Sequence, residues 1–371
     1  MSVISKKQIV KFPPRGPESF YDAIQVKVNE YFKTHHTKGQ ANNTMRLKTL
    51  IMLSLYFIPF IFIVTGLAAF SLWLFYGLWL LMGLGLVGIG ASVMHDSNHG
   101  SYSVNKSTNK LLGRTLNLVG GYDVTWRIQH NVLHHTFTNV TGLDEDIDAS
   151  VLVRMSPHKP LRGFHRYQYI YAWFLYSLMT IMWVTIKDYK LLFRYDRNDL
   201  LRKEKTTLAK ALVELTLYKV CYFFVTLVLP LMYSNMLTSQ VLLGFLMMHL
   251  LAGFCLSCIF QPAHVVDTSD YNMPVEGNKM KNNWAVHQLL NTTDFSPDSK
   301  VISWFIGGLN FQIEHHLFPH VCHVHYPQIS KIVSSVAKDH GLPYYVQPTM
   351  MRALIEHGKM LKYLGHTEMV A

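Results

Sequence analysis

Three clusters of imidazoles carry the chemistry this sequence advertises. They read His95-Asp-Ser-Asn-His99, His130-Asn-Val-Leu-His134-His135 and Gln312-Ile-Glu-His315-His316, in a chain with 20 histidines among 371 residues. A histidine content of this kind points to metal before anything else. In the first cluster the two histidines are spaced i, i+4, so on a helix both rings share one face and can reach one ion. The second repeats that spacing and adds His135, whose direction diverges from that of His134 by about 100° on a helix and so suits a position between two ions. The third pairs Gln312 with His316 at i, i+4, with His315 alongside. A carboxamide oxygen is a weaker donor than imidazole, so Gln312 is either a ligand or a supporting hydrogen-bond group. His264 adds a further imidazole. More than four ligands imply two metal ions. Imidazole without a thiolate cluster favours iron if the chemistry is oxidative, and zinc is the alternative.

These clusters need elements to hold them. Half of the residues are hydrophobic and only 15% are charged, against roughly a quarter in an average soluble domain. The block from Thr49 to Met94 contains no Lys, Arg, Asp or Glu. Its length, roughly 65–70 Å as helix, is enough for two membrane crossings. Spanning helices are predicted near 49–69, 72–93, 209–233 and 237–261. The connections inside each pair are uncharged, whereas 1–48, 99–210 and 264–371 are rich in Lys and Arg. That asymmetry places both termini and the histidine clusters in the cytosol. The expected fold is therefore an all-α integral membrane protein, with four transmembrane helices in two hairpins under a cytosolic helical cap that holds a di-metal site. Residues 171–186 are apolar but short for a span. If they crossed alone, the third cluster would face away from the first two, so they are read as an interfacial helix.

The remaining features exclude other classes. The net charge of +11 is explained by positive-inside bias and anionic headgroups, not nucleic acid. Cys221, Cys255 and Cys258 lie in apolar runs and Cys322 stands alone, so they are read as packing groups. The start, MSVISKKQIVKF, has no apolar core that would make a cleavable signal peptide.

The boxes resemble the H-x-x-x-H, H-x-x-H-H and [HQ]-x-x-H-H motifs of the membrane fatty acid desaturases. The third, within Trp304-Phe-Ile-Gly-Gly-Leu-Asn-Phe-Gln-Ile-Glu-His-His-Leu-Phe-Pro319, is similar to the front-end (delta-5/delta-6, linoleoyl-CoA-type) branch. Gln261-Pro-Ala-His264 resembles that family's extra histidine after the fourth helix. The likeness runs from about Thr49 to Pro327, which makes 49–327 the desaturase domain between a cytosolic N-terminal segment, 1–48, and a cytosolic C-terminal segment, 328–371. It implies His95, His99, His130, His134, His135, His264, His315 and His316 as ligands of two irons, with Gln312 where relatives have another histidine. It implies O2 as co-substrate and a fatty acyl-CoA or acyl-lipid substrate. No His-Pro-Gly-Gly haem motif occurs in the sequence, so electrons are expected from a separate ferredoxin, or from cytochrome b5 with its reductase.

An unactivated methylene needs an oxidant that side chains cannot supply, so a cofactor carries it. No catalytic residue is expected beyond the ligands. Asp96, Asp144, Asp146, Asp148 and Glu314 are candidates to orient the imidazoles. His249 is read as a packing hydrogen bond inside a spanning helix, and His287, His320, His323 and His325 as surface or supporting residues. Rival readings are a hydroxylase or acetylenase on the same scaffold, and a non-oxidative zinc membrane protein.

Overall fold

The computed structural model describes residues 10–16, 19–148, 150–275 and 277–368. The leader reading made at the start of the chain falls mainly on residues 1–9, outside the described ones. The chain forms two compact units. One is built from described residues of Met1–Gln40, Gln129–Ala172 and Ile259–Ala371, the other from Ala41–Ile128 and Trp173–Cys258.

The second unit holds the apolar helices. Among the described residues, four are long and apolar enough to cross a membrane: Asn43–Val64, Leu72–Asn98, Leu208–Tyr233 and Thr238–His264. The first starts ahead of the apolar block because the Asn42 side chain accepts the Met45 amide at 3.0 Å and so caps a polar first turn. Its 22 residues give about 33 Å of helix, close to the roughly 30 Å hydrocarbon thickness of a bilayer. Only 22% of the apolar window of Leu208–Tyr233 is buried. The remainder points outward and needs lipid to cover it. Glycines bring the helices together, since a Cβ on Gly85 would meet the Tyr56 amide nitrogen at 2.6 Å and one on Gly83 the Met248 carbonyl at 2.9 Å.

Lys219 and His249 are among the polar groups buried in these helices. The Lys219 ammonium donates to Gly120 O (2.6 Å), Trp183 O (2.8 Å) and Asp188 Oδ2 (2.7 Å). The Trp183 carbonyl opens a π-helical turn, Trp183–Lys187, where the regular ladder is interrupted. His249 has both ring nitrogens on hydroxyls, Tyr222 at 2.7 Å and Thr180 at 3.1 Å, which is a packing role. The apolar stretch around 171–186 is two helical pieces, Gly163–Ser177 and Met179–Arg197, that meet at a bend.

In the first unit, helix Phe20–Thr34 and helix Tyr326–Asp339 bury Ile24, Val28, Ile329 and Val333 against Ile313 and Leu317. Ile313 and Leu317 are the i, i+4 apolar face of the short helix Gln312–Leu317. A helix of six residues cannot persist alone, so this core holds the third histidine box in place. The fold is not purely helical: Asp294–Phe295 pairs in parallel with Val346–Gln347.

Candidate metal centre

The second box sits on an irregular helix. Asp123–Arg127 is α-helical, Ile128–His134 is π-helical, and His135–Phe137 returns to α. A π turn bonds i to i+5 and so changes which side chains share a face. His130 and His135 come together here, with Nε2 atoms 3.2 Å apart. His315 Nε2 completes a triangle, 2.9 Å from His135 Nε2 and 3.4 Å from His130 Nε2. Metal–imidazole bonds of about 2.0–2.1 Å, at angles of roughly 90–110°, put ligand nitrogens about 2.9–3.4 Å apart. The triangle therefore has the edges of a coordination polyhedron.

His134 turns to a second group. His134, His264 and His316 offer ligand atoms that lie within 4.8 Å of one another. Each of these rings is held through Nδ1. His134 donates to both Asp144 carboxylate oxygens at 3.1 Å, His264 to Asn291 O at 3.0 Å, and His316 to Gln288 Oε1 at 2.8 Å. Anchoring at Nδ1 orients each ring so that Nε2, which carries the lone pair in the neutral ring, is the atom left to face a metal. The Nε2 atoms of His264 and His316 are buried and make no hydrogen bond of normal geometry among the described residues. Buried nitrogens without such a hydrogen bond are placed to accept a cation. Burial, then the neighbouring His135, His264 and His134, hold the His316 pKa well below its ordinary value, which keeps its lone pair available. Burial also opposes protonation of His134, but Asp144 and Asp146 outweigh it and push the pKa up to about 9. These clusters can hold metal, with nitrogen donors throughout.

The other predicted groups divide. Gln312 is buried, donates Nε2 to Leu309 O at 2.7 Å and lies beside His264. His95 and His99 share a face of the second apolar helix, just after a π turn at Ile89–Val93, and both set their rings edge-on to Trp126 at 5.5 and 5.6 Å. Asp96 Oδ1 is 3.9 Å from His95 Nδ1. Asp146 lies 3.4 Å from His134 Nδ1 and accepts from Gln129 at 2.5 Å. Two carboxylates have other tasks. Asp148 pairs with Lys159 at 2.8 Å and accepts the Gly142 amide. Glu314, instead of orienting an imidazole, accepts from the Tyr344 hydroxyl at 3.0 Å, and that hydroxyl also reaches Asp294 at 2.7 Å. Asp294 in turn accepts the Ile313 amide at 2.9 Å, which caps the third box. His287 is not on the surface: it is buried and donates to Thr138 O at 2.8 Å. His323 and His325 are also buried, while His320 is exposed.

The histidine boxes do not reveal the helix Trp284–Leu290 behind them. Trp284 Nε1 donates to His135 O at 3.0 Å, Gln288 holds His316 and Thr138, and Asn291 receives His264. Trp284 and Gln288 share a helix face at i, i+4, a signal the sequence does contain, whereas Asn291 acts through its backbone carbonyl at the end of that helix.

The fatty acid desaturase model matches residues 71–348, a span that includes all three boxes. The chain belongs to the fatty acid desaturase family. It is 37% identical to an acyl-lipid (8-3)-desaturase of Physcomitrium patens, over 98% of this chain and 75% of that one. It is 33% identical to an sn-1 linoleoyl-lipid 6-desaturase of Arthrospira platensis, over 93% of this chain and 92% of that one. A Synechocystis sn-1 linoleoyl-lipid 6-desaturase is 32% identical, over 96% and 98% of the two chains. The desaturase is thus an oxidoreductase of lipid metabolism that introduces a double bond into a fatty acyl chain, built on helices fit for a membrane.

Proposed function

We propose that this desaturase is a di-iron, O2-dependent enzyme that inserts a cis double bond into an acyl chain carried on a membrane lipid. The observation that carries the metal reading is the paired convergence of His130, His135 and His315 on one side and His134, His264 and His316 on the other. Two converging triangles of imidazole nitrogens call for two cations. Gln312 joins the second by its place beside His264, and His95 and His99 join the set through the likeness of their box to the family's first. Desaturation removes two hydrogens while O2 is reduced to water, and the irons supply that oxidising power when bound. The residues contribute placement. Asp144, Gln288 and the Asn291 carbonyl hold three rings by Nδ1, and Asp294 with Tyr344 keeps the third box from turning. Lipid-linked acyl groups are favoured because the relatives are named for them. Electrons come from a separate ferredoxin, or from cytochrome b5 with its reductase. Expression in a host that lacks polyunsaturated acids, with mass-spectrometric location of new double bonds by lipid class, tests the reading. The absence of any new double bond on intact lipids would refute it.

The proposed topology has two hairpins, with both polar histidine regions in the cytosol and the bent 163–197 pair at the interface. Epitope tags near Lys205 are expected to be accessible from the cytosol and tags near Asn235 from the other side. Protection of the Lys205 tag in inside-closed vesicles would mean that 171–186 crosses the membrane.

Gln312 yields a graded series. Gln312→His offers a stronger donor of similar reach and is expected to keep metal and activity. Gln312→Leu removes the donor and is expected to cost about ten- to a hundredfold in product yield. Equal metal content and yield for Gln312→Leu and the parent would remove Gln312 from the site.

A further inference from the structure

The first unit carries an outward face that none of the described residues covers. It joins the turn and helix Gly163–Ser177 to the C-terminal helix Met350–His366. Ile170 is 61% exposed and Met351 65%, with Phe164, Ile355 and Tyr363 also open. Basic side chains are interleaved with them: Arg162, Arg166, Lys359 and Lys362 are exposed. Acids are nearly absent. No Asp or Glu occurs from Ser150 to Lys187, and the C-terminal helix has one, Glu356. Glu356 is 8% exposed and is taken up by Arg352 at 2.7 Å and Lys359 at 3.0 Å.

The face is held as one piece. Buried Arg154 donates to Lys159 O and Pro157 O, both at 2.6 Å, to Thr367 O at 2.9 Å and to Leu364 O. It thereby neutralises the carbonyl end of the C-terminal helix. Gln168 Nε2 bonds Leu361 O at 2.7 Å. A Cβ on Gly365 would strike the His165 carbonyl, so only glycine allows this approach. Lys362 lies over the Tyr169 ring at 5.5 Å.

We propose that this face is a membrane-surface patch that seats on anionic lipid headgroups. Exposed aliphatic and aromatic groups between long basic chains suit the headgroup boundary. Apolar side chains enter it while Lys and Arg snorkel to phosphate. The patch also leads directly into the apolar residues 171–186, so the chain at its edge is already at the membrane. A soluble thioester such as an acyl-CoA would use the basic groups but leave the apolar ones in water. The inference rests on the membrane reading of the protein but not on its desaturase activity, and its readout is independent of turnover.

The test uses the full chain reconstituted in vesicles, with Cys221→Ser and Cys255→Ser as background. An environment-sensitive fluorophore is placed at Ile355→Cys, Tyr363→Cys or, on a helix away from the patch, Lys338→Cys. Blue-shifted emission, quenched by headgroup spin-labelled lipid, is expected at 355 and 363 but not at 338. It should strengthen when phosphatidylglycerol is added to phosphatidylcholine. Arg166→Gln and Lys362→Gln should each reduce that lipid preference by about fivefold, the worth of one basic residue near an anionic surface. Aqueous emission at all three positions in both vesicles would overturn the proposal. So would a signal that appears only with free coenzyme A. Release of the protein by alkaline wash would instead overturn the membrane reading beneath it.

Discussion

His315→Ala is expected to lose bound metal and desaturation together while remaining helical and membrane-inserted. His315 Nε2 is one corner of the triangle with His130 and His135, at 3.4 and 2.9 Å. Removal leaves two nitrogens of the triangle where three converged. Losing a group that only supports a ligand costs about ten- to a hundredfold in metal affinity or activity, so losing a ligand should exceed the upper end of that range. His130→Ala and His135→Ala should match it, because each removes an equivalent corner. The packing cost is secondary: Ile313 and Leu317, which seat the helix, are untouched. The check is metal per chain by mass spectrometry and product per unit of membrane protein, with His340→Ala as an exposed control. Retention of half the metal and activity by any two of the three variants would dissolve the shared centre.

A second large effect is expected at Asp144, which no histidine-box motif contains. It is fully buried, accepts from His134 Nδ1 through both oxygens, and accepts the amides of Asn139 at 2.8 Å and Asp146 at 3.0 Å. Burial alone would raise its pKa, but His134 and the two amides outweigh it and hold the carboxyl ionised. Asp144→Ala frees the His134 ring to rotate and leaves buried amides without an acceptor, at about 1–3 kcal/mol for each orphaned group. The expected result is a drop of about ten- to a hundredfold in metal affinity, accompanied by a lower melting temperature. Asp144→Asn keeps one acceptor oxygen and should fall between. Asp148→Asn separates this from a general loop effect: its carboxylate serves Lys159 and Gly142, so the melting temperature should shift while metal affinity holds. Equal metal affinity for Asp144→Ala and the parent, measured by competition with a chelator, would show that His134 is placed by packing instead.

Much of the molecule was legible from the chain alone. Apolar blocks without charge can only be long helices in lipid, and four such helices are present among the described residues. The histidine spacing named the chemistry and, by its likeness to known boxes, the family. The first, second and fourth helices still begin or end away from the apolar limits. Caps and continuing backbone bonds set helix ends, and neither depends on hydropathy. Regular α-spacing also pairs His130 with His134, whereas the π turn at Ile128–His134 pairs His130 with His135 and sends His134 to His264 and His316. A single extra residue per turn is invisible to a pattern that assumes 3.6, because tertiary contacts stabilise it.

Sequence by itself therefore determined which residues could donate to a metal and which stretches are apolar, since both follow from side-chain type at short range. Tertiary structure decided who shares a centre and who supports it. Glu314 stands between Ile313 and His315, yet it turns to Tyr344 and Asp294, from 30 and 20 positions away, and orients no imidazole. Gln288 and the Asn291 carbonyl anchor His316 and His264 from a helix, and from its C-terminal end, that lie outside every box. Such partners are chosen by which buried donors must be satisfied once the chain has closed. That condition exists only in the folded molecule, where distant segments lose water together.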